Sequence, residues 1–116
     1  MQPITVTTKE ELQTAQKLNS KEIIVIGKLA NDLKKSKKVM KLGKVGIIAL
    51  AGVIGLAPFT GGVSLGVAAT AAALTGLEIS AIIIASSIGL SLLLAVHKGY
   101  EEVGYRDGYL HLKKSR

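Results

Sequence analysis

Cysteine is absent from the 116 residues, which excludes disulfide scaffolds, thiol catalysis and thiolate-held metals together. Tryptophan is absent as well, and the aromatic residues are only Phe59, Tyr100, Tyr105 and Tyr109. Charge is missing from a long stretch: the 52 positions from Val45 to Val96 contain one acid, Glu78, and no Lys or Arg. All fifteen Lys and Arg lie outside that block, ten of them before Val45. The segregation departs from the pattern of soluble helices, in which polar residues recur every turn or two to face water. At this length there is room for one domain and not for two independent soluble cores.

The remaining composition divides the chain into a basic region (1–44), the apolar block (45–96) and a polar tail (97–116). The block begins too late for a cleaved signal peptide, so it reads as a mature membrane segment. In the basic region Ile4 to Thr7 alternates like a strand. Thr8 with Glu11 three residues on forms a capping box that opens a helix. Glu22 to Ile26 reads as a strand apolar on both faces, hence central and covered twice. From Lys28 a second helix is expected to run into the membrane without a break. In the tail, Asp107-Gly108 is a type I′ hairpin turn. It sets Arg106 opposite Tyr109, Tyr105 opposite Leu110, Val103 opposite Leu112 and Glu102 opposite Lys113.

Val45 to Leu77 spans 33 residues, about 50 Å as a straight helix, against a bilayer core of about 30 Å. It must therefore turn, and Pro58, Gly61 and Gly62 mark the place. The expected fold class is thus a membrane protein: an α-helical transmembrane hairpin with spans at 42–57 and 77–96, and a short re-entrant or interfacial helix at 63–74. A small α+β cytoplasmic cap is made from both termini. A rival arrangement pairs 42–57 with 63–75 as a re-entrant hairpin and sends the C-terminus outside. Lys34, Lys35, Lys37, Lys38, Lys41, Lys44 and Lys98 flank the spans. They point to anionic headgroups of a lipid bilayer and, by the positive-inside rule, to a bacterial cytoplasmic membrane with both termini cytoplasmic.

Small residues supply the assembly signal. Ala81, Ala85 and Gly89 recur every fourth position, Gly62 and Gly66 form GxxxG, and Ala51 with Gly55 repeats the spacing. Such stripes allow close helix approach and point to a homo-oligomer. Glu78, preceded by Thr75 and Gly76, is a candidate for a pore mouth, because a lone carboxylate at membrane depth is costly; an unremarkable headgroup-boundary position is the simpler alternative.

Enzymatic chemistry has little support. His97 and His111 lack metal-spaced partners, and Gly61-Gly62 lacks the Lys and Ser/Thr of a phosphate loop. No cofactor is implied. The lysine-rich region has no aromatic or Arg to read or stack bases, so nucleic acid is not an expected partner. The leading expectation is a homo-oligomeric pore or channel, of the kind used by membrane-permeabilising toxins and cell-suicide effectors. The alternative is a membrane anchor or accessory subunit whose cap recruits a protein partner.

Overall fold

Thr8 opens the first helix with both halves of its capping box in place: Glu11 N–H donates to Thr8 Oγ1 at 3.1 Å, and the Glu11 carboxylate accepts from Thr8 N–H at 3.3 Å. A computed structural model describes residues 3–55 and 65–115, and the elements run as follows. Strand β1 (Ile4–Val6) precedes α1 (Lys9–Lys17), β2 (Glu22–Ile26) and α2 (Lys28–Ser36). A 3-10 turn (Lys37–Leu42) leads to α3 (Gly43–Ile54), followed by α4 (Leu65–Thr75), α5 (Ile79–Ile88) and α6 (Leu90–Gly99). The chain closes with β3 (Tyr100–Arg106) and β4 (Tyr109–Lys114). It divides into two units, Met1–Lys34 with Ala95–Arg116, and Lys35–Leu94.

The first unit is α+β. Its sheet has the order β1-β2-β4-β3, with β1 parallel to β2 and the other pairs antiparallel. Val6, Val25 and Leu110 lie in line across it, Ile23 sits beside Leu112, and all five are buried with Leu12, Ala15, Leu29 and Ala30. The strand period places Ile24 and Ile26 on the opposite face, where Ile24 is half-buried and Ile26 exposed. β2 is therefore central but not apolar-covered on both sides as its composition suggested.

The hairpin pairs Arg106 with Tyr109 and Tyr105 with Leu110, then shifts: Gly104 faces His111 and Glu102 faces Leu112. Val103 is the extra residue of a bulge and is half exposed. Glu102 thus stands opposite Leu112 where Val103 was expected, Glu101 instead of Glu102 faces Lys113, and the Lys34 ammonium meets the Glu102 carboxylate at 2.7 Å. The turn is not type I′ either, since Gly108 has φ 75° while Asp107 keeps a negative φ. Asn31 braces it, accepting from Gly108 N–H at 2.9 Å and donating to Asp107 at 2.8 Å.

The second unit overturns the expected transmembrane hairpin. The helix from Lys28 stops at Ser36, passes through the 3-10 turn and restarts at Gly43, whose φ of 74° breaks the axis. In the described part of the first expected span the helix is α3, 12 residues, about 18 Å against the ~30 Å required. The second, 77–96, is two helices of 10 residues each, α5 and α6, parted at Gly89. Glycine permits its φ of 103°, and Gly89 N–H still donates to Ala85 O at 2.9 Å, closing α5. α4 and α5 would together be long and apolar enough, but they are bent by 112°. Among the described residues no single helix is long and apolar enough to cross a membrane. The integral placement in a bacterial cytoplasmic membrane loses its basis with those spans, as do the pore-forming and channel roles. The expected turn at Pro58, Gly61 and Gly62 lies outside the described residues.

Candidate functional site

α3 and α4 pack on each other, and each keeps an outer face with the period of a helix. In α3 the buried side carries Leu50 and Ile54. The exposed side carries Val45, Ile48, Ala49 and Gly52, with Val45 83% and Ile48 62% accessible. Positions three and four apart share one helix face, so these four form a single stripe, charged only at its head by Lys44. In α4, Ala68 and Ala71 are buried, while Leu65, Gly66, Ala69, Thr70, Ala73 and Leu74 are exposed, Leu65 at 72% and Leu74 at 62%. Thr70 adds little polarity, because its hydroxyl donates to Gly66 O at 3.0 Å. Both helices are as apolar outside as inside. A helix that is apolar all round requires cover on its outer face.

The residues singled out from the sequence are distributed differently from the expected assembly stripe. Ala81 and Ala85 are buried inside the chain, so they serve internal packing. Gly89 breaks the helix it was to line, and Gly55 ends α3 with φ 79°. Ala51 is half-buried, Gly66 lies on the exposed face of α4, and Gly62 is outside the described residues. Thr75 and Gly76 make the C-terminal cap of α4: Thr75 Oγ1 donates to Ala71 O at 2.7 Å, and Gly76, φ 77°, donates to Ala72 O at 2.8 Å.

Glu78 precedes α5 and is exposed, with its carboxylate hydrogen-bonded to the Lys38 ammonium. That bond, then the positive charge of Lys38 and of Lys35, holds its carboxyl below the usual carboxylate range. The lysines thus divide. Lys34 is tied to Glu102 and stacks over Tyr105, Lys38 is tied to Glu78, and Lys35, Lys37, Lys41, Lys44 and Lys98 are exposed.

Elsewhere, His111 Nε2 lies 3.9 Å from the Glu22 carboxylate and makes no hydrogen bond among the described residues. Among the described residues no group of three or more His, Cys, Asp or Glu could hold a metal ion. Nothing in the sequence singles out the exposed α3 and α4 stripes, because Val45, Ile48, Leu65 and Leu74 fall inside an apolar block that reads as membrane throughout, and no polar residue marks which side of either helix faces out.

With these surfaces in view, comparison places the chain. The family model described as "Uncharacterised protein PM1101" matches residues 5–116. The chain belongs to that family. No curated protein and no solved structure matches it. The match covers residues of both units.

Proposed function

We propose that this member of the PM1101 family is a self-assembling protein without catalytic chemistry, which associates through the exposed faces of α3 and α4 with the same helices of a second copy. The observation that carries the reading is the outward apolar stripe of Val45, Ile48, Leu65 and Leu74. Fully burying an aliphatic side chain contributes about 1.5–3 kcal/mol. Four that begin 62% or more exposed give roughly 5 kcal/mol per copy, and roughly 10 kcal/mol per symmetric pair. That falls within the association cost of about 4–15 kcal/mol and suits reversible assembly.

A second copy fits this surface for two reasons. An isologous pair presents the same patch twice and needs self-complementarity, and a face without charge along its length carries no like-charge penalty against itself. Ala49, Gly52, Ala69 and Ala73 lie among the large residues, and small side chains let helix axes approach closely. Sedimentation velocity on the purified chain tests the reading. Wild type is expected at a multiple of its 12.1 kDa, and Ile48→Glu, an exposed substitution that leaves the monomer fold alone, at the monomer mass. A monomeric wild type, or an Ile48→Glu variant with the wild-type mass, overturns it. So does a monomer whose stripe instead binds neutral phospholipid vesicles.

A further inference from the structure

The edge of the first unit's sheet offers a binding groove that the assembly reading does not use. β1 is an edge strand, with no strand on its outer side among the described residues. An edge strand leaves backbone N–H and C=O groups ready to pair with another extended chain. α1 runs beside it, and strand and helix line a groove of about 340 Å³. Ile4 and Thr5 contribute from the strand, Glu10, Glu11 and Thr14 from the helix, and Leu18 from the residue that caps its C-terminal end. Leu18 is 69% exposed and Ile4 39%, so both have apolar surface left to cover.

The charge of the groove runs against that of the chain. The protein carries net charge +7, yet among the described residues that line the groove the charged ones are Glu10 and Glu11. Their roles differ. Glu11 is occupied by the cap of α1, its Oε1 accepting from Thr7 N–H and Thr7 Oγ1–H at 2.8 Å each. Those bonds hold its carboxyl below the ordinary range, so it stays ionised at neutral pH. The Glu10 carboxylate makes no hydrogen bond or ion pair among the described residues, and it is exposed at the groove.

An open strand edge beside a helix, with apolar surface and an acidic wall, is the arrangement that binds peptides by strand addition. Main-chain bonds provide affinity and alternate side chains provide specificity. We propose that the β1–α1 groove binds an extended segment of a partner protein as an added strand, with apolar residues alternating with lysine or arginine. The apolar side chains cover Leu18 and Ile4, and a basic one pairs with Glu10.

The test uses the full chain and fluorescence anisotropy at physiological ionic strength. The probes are two labelled hexapeptides, one alternating valine and lysine, the other valine and glutamate. Bulk electrostatics favours the glutamate peptide on a protein of charge +7, so a preference for the lysine peptide reports the groove. Glu10→Lys is expected to weaken lysine-peptide binding about fivefold or more. Glu101→Lys, which makes the same charge change at an exposed position on β3, is expected to leave it unchanged. Equal or better binding of the glutamate peptide, no binding of either, or equal effects of Glu10→Lys and Glu101→Lys overturns the proposal. A change in oligomer mass with Glu10→Lys also overturns it, by assigning the groove to a second copy. Because Ile48→Glu acts on the other unit, loss of assembly and loss of peptide binding are read separately.

Discussion

Replacing Gly89 with alanine separates the observed helix pair from a continuous helix by the sign of a stability change. In the structure Gly89 has φ 103° and ψ 121° and joins α5 to α6. A residue with a Cβ is strained there, at a cost of about 1–3 kcal/mol. In an unbroken helix over 77–96 the same position would be helix interior, where alanine is more stable than glycine by about 0.5–1 kcal/mol. The two geometries thus differ by roughly 2–4 kcal/mol in their response. At about 4–8 °C per kcal/mol for a domain near this size, the expected result is a fall in Tm of roughly 4–24 °C. Urea unfolding followed by far-UV circular dichroism gives the free energy, and an unchanged m-value would show that only stability has moved. Measuring in the Ile48→Glu background removes any contribution from association. Gly52→Ala is the internal control: Gly52 lies inside α3 with nothing within 4 Å of an added Cβ, so alanine there should stabilise by about 1 kcal/mol. A Gly89→Ala protein as stable as its parent, or more stable, would refute the broken-helix geometry.

Three further outcomes follow from the first unit. Asn31→Ala removes the acceptor shared by Tyr105 O–H and Gly108 N–H, both at 2.9 Å. It should cost about 1–2 kcal/mol and accelerate amide exchange at Gly108; unchanged exchange would contradict the brace. Lys34→Met removes the 2.7 Å ion pair with Glu102 and should destabilise by about 1 kcal/mol or less, more at low salt than at high; a loss indifferent to salt would show that packing of the lysine stem dominates. Glu11 has a lowered folded-state pKa, chiefly from the Thr7 N–H bond. Its charge therefore stabilises the fold fully above the unfolded-state pKa and ceases to as pH falls through the folded value. The difference in urea midpoint between wild type and Glu11→Gln should be largest near neutral pH and shrink below about pH 4. A difference independent of pH would assign the effect to the amide's geometry instead of the charge.

Signals that reside in a few adjacent side chains were readable from the chain. Thr8 and Glu11 specify a helix start through their own hydrogen bonds, and Asp107-Gly108 marks a reversal because glycine tolerates a positive φ. The apolar block misled for a physical reason. Gly43, Gly55, Gly76 and Gly89 all have positive φ, yet glycine in an apolar run is equally compatible with close helix packing, and nothing beside Gly89 distinguishes a break from a stripe. Hydropathy alone then joined short helices into spans. The Val103 bulge was hidden likewise, since Val-Gly-Tyr fits an unbroken strand, and the shifted register goes with an ion pair between Glu102 and Lys34 of α2 that strand patterning does not display. The outward stripe of α3 and α4 was invisible because its inner and outer residues are chemically alike.

The absence of cysteine makes the central claim directly measurable. A single cysteine placed at Ile48 and labelled with pyrene should give excimer emission that grows with protein concentration, because the α3 faces of two copies meet there. The same label at Lys98, exposed and in the first unit, serves as the control. Excimer emission from position 48 and not from position 98 is the expected result. Monomer emission alone from position 48, at concentrations where sedimentation detects an oligomer, would show that the copies meet elsewhere and contradict assembly through α3 and α4.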